Sequence, residues 1–267
     1  ARFYTDFFNE KSKELRDTLN IIKSYNALGY LERESGDYNQ SIEFYEKGLK
    51  LAKEAGFSDQ TKFLLNNLAL VHTYYGNYDK SLDYHFQSLN IREKEGDIRG
   101  IATAYNNIGL VYYQIDDDEK ALNYYLKSLS LRRENNLIEG AENVLVNLGL
   151  VYTSLERYDE AIEVYEEVLI TCGKDCDNQF ILDANLGSGY VFFQMKRYNE
   201  AIQPIKVALK IAEKINNIKD LITSNFYLSE INFRTGNLDE AFNYLDKASV
   251  LVNNTDFQTW KMDIDNL

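Results

Sequence analysis

The chain has 267 residues with one proline, fourteen glycines, two cysteines and 21 tyrosines, and 45% of it is hydrophobic; this excludes collagen-like, disulfide-scaffold and low-complexity chains and argues against disorder. Acids outnumber bases 42 to 29, a formal net charge of −13, which speaks against nucleic acid and anionic membrane surfaces as partners. Gly and Pro are too sparse for the frequent turns of a β-sandwich, and no apolar run is long enough to span a bilayer, so long helices are the expectation.

Residues 1–21 come first. Phe3, Tyr4, Phe7 and Phe8 are too apolar for a free tail, so this stretch is expected to be helix B of a partial repeat or a capping helix. An aromatic start of this kind leads us to expect a piece cut from a longer chain. From residue 22 the sequence repeats with a period of 40, the signature of a stacked array. Turn signals begin at Gly36, Gly76, Asp116, Glu156, Lys196 and Gly236. Five residues after each start stands a small residue: Ser41, Ser81, Ala121, Ala161, Ala201 and Ala241. Seven residues before each start stands another: Gly29, Ala69, Gly109, Gly149, Gly189 and Ser229. Small residues twelve apart across a turn fit two antiparallel helices in close approach. Asp37, Asn77, Asp117 and Asn237 are good N-caps, and Asp37/Gln40 and Asn237/Glu240 look like capping boxes. Gly56, Gly96, Asn136, Cys176 and Asn216 stand where helix B should stop in a left-handed residue. Six units are therefore expected, at 22–61, 62–101, 102–141, 142–181, 182–221 and 222–261, with 262–267 starting a further helix or tail. Each reads helix A, turn, helix B, stop, and cannot bury its apolar face without a stacked neighbour.

Several residues invite a chemical reading. His72 and His85 sit where tyrosines pack between helices, and packing is the expected role. Cys172 and Cys176 are read as two ordinary cysteines, since zinc needs further ligands and a disulfide requires helix B to end there. Asp116, Asp117 and Asp118 read as a turn and cap, because the other ligands of a calcium loop are missing. Pro204 falls inside a helix and is expected to kink it. No catalytic residue, metal site or cofactor is expected.

The segments Asn107-Ile108-Gly109-Leu110-Val111-Tyr112 with Ala121 and Tyr125, and Asn147-Leu148-Gly149-Leu150-Val151-Tyr152 with Tyr158, Ala161 and Tyr165, resemble the tetratricopeptide repeat family. The usual unit there is 34 residues; the longer unit is similar to that of kinesin light chains, Leu-Gly-Asn repeat adaptors and Rap-type bacterial peptide sensors. The resemblance implies an all-α, right-handed solenoid whose A helices line a concave face, and a non-enzymatic scaffold that holds an extended protein or peptide there, as the sensor or adaptor part of a larger signalling protein. Self-association without a specific peptide, giving a homo-oligomer, is the alternative. The cytoplasm is the expected compartment, with a periplasmic sensor region as the other reading. On that face Asn67, Asn107 and Asn147 occupy one position and form a candidate ladder, flanked by Asn66 and Asn106. Amides in a row can pair with the N–H and C=O of an extended peptide, or else bond neighbouring helices. Period 40 puts Gly187 at the rung in repeat five, while Asn185 copies the motif two residues early; either helix A is shifted or Asn185 packs. Phe63, Tyr74, Tyr113, Gln114, Tyr190 and Phe193 complete the candidate site, with inter-repeat packing as the alternative for each tyrosine. The carboxylate clamp of chaperone-tail binders is absent: Tyr30, Leu70 and Leu110 stand where it needs Asn, and Tyr74, Gln114 and Ser154 where it needs Lys or Arg.

Overall fold

The structure, a computed structural model, describes Arg2, Glu10, residues 17–172 and residues 176–253. Among the described residues there are twelve helices and no strand. The chain divides into two compact units, 1–138 and 139–267. The first holds α1 (Thr18–Ser35), α2 (Tyr38–Glu54), α3 (Ser58–Tyr74), α4 (Tyr78–Glu95), α5 (Ile98–Gln114) and α6 (Asp118–Glu134). The second holds α7 (Ala141–Ser154), α8 (Tyr158–Thr171), α9 (Asn178–Gln194), α10 (Tyr198–Ile215), α11 (Ile218–Arg234) and α12 (Leu238–Asn253). Odd-numbered helices are A helices and even-numbered ones B helices. Within each unit every helix packs on the next, and successive A helices also touch. The expected helices 1–21 and 262–267 lie largely or wholly outside the described residues.

The turns explain the period. Positions 36, 76, 116, 156, 196 and 236 all have positive φ, between 57° and 84°. Glycine fills three of them, where a left-handed residue costs least; Asp116, Glu156 and Lys196 fill the rest. The next residue then reaches back five positions: the N–H groups of Asp37, Asn77, Asp117, Arg157, Arg197 and Asn237 bond Glu32, His72, Tyr112, Tyr152, Phe192 and Asn232 carbonyls at 2.8–2.9 Å. This ending satisfies carbonyls that a helix terminus would leave open. Three of the same residues open the following helix, because Asp37, Asn77 and Asp117 accept with Oδ1 from the N–H of Gln40, Lys80 and Lys120. Cations near three turns also lie over an aromatic ring of helix A: Lys120 on Tyr112, Arg157 on Tyr152 and Arg197 on Phe192.

The small anchors mark where A and B helices meet. A Cβ added to Gly29, Gly109 or Gly149 would lie 2.6, 2.8 or 2.4 Å from the rings of Tyr45, Tyr125 and Tyr165. Repeat two replaces the pair with Ala69 and His85, a smaller ring over a larger floor. Across the turn, Ser41 Oγ donates to the Gly29 carbonyl at 2.7 Å and Ser229 Oγ to the Ala241 carbonyl at 2.8 Å, each a contact between positions twelve apart. Tyr45, Tyr125 and Tyr165 are all buried, and rings of this size dominate core energetics.

The helix B stops hold at Gly56, Gly96, Asn136 and Asn216, all left-handed. They do not hold at Cys176. Helix α8 ends at Thr171 with Cys172 in an extended conformation, and Cys172 and Cys176 are joined in a disulfide across a Cα separation of 5.1 Å. The early end supplies the condition under which such a bond can form, so the reading of two ordinary cysteines is corrected. Helix α7 begins at Ala141, behind a left-handed Gly140 that offers no side-chain cap. Helix α10 runs unbroken from Tyr198 to Ile215 with Pro204 inside it.

Candidate functional site

The A helices of the first unit bring the predicted amides together, with a spacing that the repeat does not suggest. Asn67 Nδ2 donates to Asn26 Oδ1 at 2.7 Å, and Asn107 Nδ2 to Asn66 Oδ1 at 2.9 Å. The partner in each case lies 41 residues back. Asn106 Nδ2 stands 3.4 Å from Asn107 Oδ1. The ladder is thus a chain of bonded pairs, and part of its capacity goes to holding repeats together. Part remains: among the described residues no bond is made by the amide hydrogens of Asn26 and Asn66 or by the carbonyl of Asn67. These groups are only half-buried. Asn26 is the member that sequence reasoning missed; its signal is that it shares the register of Asn66 and Asn106.

Between α1 and α3 lies a pocket of about 250 Å³ lined by Ile22, Lys23, Asn26, Gln60, Phe63 and Leu64. Ile22 and Leu64 are buried and form its apolar floor, whereas Phe63 is 60% exposed and forms a wall. Tyr74 sits apart from the amides. It is exposed at the end of α3, stacked on Tyr38 at 6.3 Å with Arg33 over its ring. Tyr113 is half-buried and Gln114 exposed at the end of α5.

The second unit has a different surface. Tyr190 and Phe193 of α9 meet Tyr227 of α11 at 5.3 and 5.7 Å, Phe226 adjoins Tyr227 at 5.6 Å, and Phe193 also touches Tyr198. The Gln194 amide donates to the Tyr190 hydroxyl. Asn147, on α7, has its Nδ2 3.3 Å from Asn143 Oδ1. In repeat five helix A is not shifted: Gly189 keeps its place against Ile205. Asn185 is a packing residue, buried, with Nδ2 donating to the Ile181 carbonyl at 2.7 Å. Asn225 does the same with Leu221. The rung itself is Gly187, and a Cβ there would stand 2.3 Å from the Tyr165 ring. Tyr165 therefore fills the space of a fourth amide.

Two electrostatic features stand out. Burial pushes the Asp183 carboxyl up to about 6, opposed by the bond from Gln179 Nε2 at 2.9 Å and reinforced by the charge of Asp220. Asp220 is itself held by Asn217 Nδ2 at 2.6 Å. His85 is 1% exposed, neither ring nitrogen has a hydrogen-bond partner among the described residues, and burial holds its pKa down at about 3. His72 is also buried and lowered, first by burial and then by the charge of Lys80, and stacks on Tyr84 at 5.6 Å. Both histidines pack. Among the described residues no three His, Cys, Asp or Glu side chains converge as a metal site, and no described helix is long and apolar enough to cross a membrane.

The profile of the tetratricopeptide repeat matches residues 20–94, 60–134 and 140–214, more than half of the chain. The chain belongs to the tetratricopeptide repeat family. Solved structures give the same fold. BtubC (BKLC) from P. vanneervenii is 20% identical over 80% of this chain and 91% of its own, with a TM-score of 0.71. The apo form of RapI is 16% identical over 95% and 99%, with a TM-score of 0.66. The apo quorum sensor NprR from B. thuringiensis is 17% identical over 92% and 70%, with a TM-score of 0.72. At these identities the tetratricopeptide repeats share architecture with those proteins. No curated protein matches the sequence.

Proposed function

We propose that this protein is a non-catalytic scaffold that holds an extended protein or peptide segment along its A helices, as the sensor or adaptor region of a larger signalling protein. One observation carries this reading. The half-buried amides of Asn26 and Asn67 are oriented by a bond to each other and that of Asn66 by a bond from Asn107, yet among the described residues each keeps a free donor or acceptor. Pre-oriented amides beside an exposed aromatic ring suit main-chain recognition, because a peptide backbone offers matching groups at every residue. A quorum sensor among proteins of the same fold adds support for a sensing role.

The test uses fluorescein-labelled, C-terminally amidated random hexapeptides, read by fluorescence polarisation. Replacing Asn67→Ala and Asn107→Ala together should weaken binding at least tenfold while the circular dichroism spectrum stays unchanged. Unchanged affinity in the double variant would remove the amides from the mechanism.

Self-association is the second reading, favoured by α12, where Leu238, Phe242 and Val250 are all exposed. Light scattering showing a monomer at every concentration would eliminate it.

A further inference from the structure

At several turns the chain covers an aromatic ring with a cation of its own. At the first turn Arg33 lies over Tyr30 and Tyr74, at the third Lys120 over Tyr112, at the fourth Arg157 over Tyr152 and at the fifth Arg197 over Phe192. The second turn carries two tyrosines, Tyr75 and Tyr78, and among the described residues no cation lies over either ring. Tyr75 is 54% exposed and meets Tyr38 edge-on at 6.3 Å. Between this turn and the next lies a cleft of about 370 Å³ lined by Tyr75, Gly76, Asn77, Tyr78, Asp79 and Ile115, within the range of roughly 300–1,000 Å³ of small-ligand sites. Ile115 stands one period after Tyr75, so the cleft is bounded by equivalent positions of two successive turns.

Two acceptors in the cleft are unused. Asp79 is exposed, and among the described residues no hydrogen bond or ion pair engages its carboxylate. Lys80, the next residue in the chain, directs its charge at the buried His72. The Gly76 carbonyl accepts no bond among the described residues, whereas the carbonyls of Gly36 and Gly96 take the N–H of Tyr38 and Ile98. A Cβ added at Gly76 would meet nothing within 4 Å, so a ligand can approach the backbone there.

Two ring faces, an aliphatic side chain, a carbonyl and a carboxylate, in a chain of net charge −13, suit a flat cation with several donors and an apolar stem. Ring faces attract cations. A guanidinium stacks on them while its fork of N–H groups reaches two acceptors at once, and its methylene stem can lie along Ile115. A lysine ammonium is a compact, strongly hydrated charge without a flat face. We propose that this cleft takes an arginine side chain from a basic segment of a partner protein. The contact lies at the turns of the second and third hairpins, apart from the A-helix amides, and does not depend on them.

The experiment titrates the full chain with acetylated, amidated Gly-Ser pentapeptides that carry arginine, lysine or citrulline at the centre. The readout is the NMR signals of the Ile115 methyls and of the Tyr75 and Tyr78 rings. Citrulline keeps the shape of arginine and lacks its charge. The arginine peptide should shift the signals of all three residues and bind at least threefold more tightly than the lysine peptide, and the citrulline peptide should shift none. Tyr75→Ala and Asp79→Asn, surface changes whose folding circular dichroism verifies, should each weaken the arginine peptide at least fivefold. Asp239→Asn removes the same charge at the matching exposed position of the sixth repeat and should leave binding unchanged. The Asn67→Ala, Asn107→Ala double variant should also bind as before. Equal shifts from arginine and citrulline, lysine binding as tight as arginine, or no shift with any peptide overturns the assignment. Equal losses in Asp79→Asn and Asp239→Asn would reduce it to the attraction of any cation to an acidic chain. Loss of arginine binding in the amide variant would move the ligand to the A helices, and the cleft falls.

Discussion

The A helices of residues 17–138 face outward with amides, those of residues 139–253 with rings. In the first unit Asn26, Asn66, Asn67 and Asn107 bond in pairs; in the second Tyr190, Phe193, Phe226 and Tyr227 form one aromatic cluster. The underlying repeat is the same, with the same left-handed turns and small anchors. At repeat five the difference comes from one steric choice. Tyr165 lies between Gly149 and Gly187, and a ring that reaches the next A helix leaves no room for a rung. A single scaffold thus supports an amide-lined surface and an apolar surface, and in repeat five the B-helix tyrosine decides between them.

The largest effect should come from pH, and it should run in opposite directions in the two units. His85 has a folded pKa near 3, below its unfolded value of about 6.5. Its stability contribution is complete above pH 6.5 and is lost as pH falls toward 3, at up to about 1.4 kcal/mol per pH unit. Asp183 has a folded pKa near 6, above its unfolded value of about 3.9. Its carboxyl favours the fold below pH 4, and that advantage is lost as pH rises through 6. Amide hydrogen exchange between pH 4 and pH 6.5 should therefore show protection falling in α3–α4 on acidification and rising in α9–α11. Asp183→Asn should abolish the second trend and leave the first. Parallel trends in both units would break the contrast.

Next in size is the steric choice itself. Gly187→Asn restores an amide to repeat five, and should cost roughly 1–3 kcal/mol by overpacking against Tyr165, measured by urea unfolding. If it is neutral, the ring does not exclude the rung. Smallest is Asn67→Ala, which leaves the Asn26 carbonyl without its partner. It should cost about 1 kcal/mol, and replacing both Asn26 and Asn67 by Ala should cost less than the sum of the two single changes, since the pair is lost only once.

Much of this architecture is readable in the residues. Three of the six turns, the anchors and four of five helix B stops follow from local chemistry: glycine or asparagine where φ is positive, a small residue where a ring must lie flat. The amide partners are less readable. Period 40 aligns Asn67 with Ala27, but the helices meet one residue off register, and the bond goes to Asn26. Gly187 is legible only after Tyr165 has been placed, because its cause is a side chain from another helix. Helix α8 ends five residues before the stop position for a similar reason: Cys176 occupies that position and is bonded back to Cys172, a link that spacing permits and does not require. The αL turns at Asp116, Glu156 and Lys196 lack the glycine that would announce them, and are visible only through their phase.

The turn residues have a mechanical consequence. Asp37 closes α1 with its backbone and opens α2 with its side chain, and Asn77 and Asp117 repeat the arrangement. No helix of these pairs can peel off without loosening its mate. Under tension from either end, the array should yield in whole hairpins, so its grain size is the helix pair.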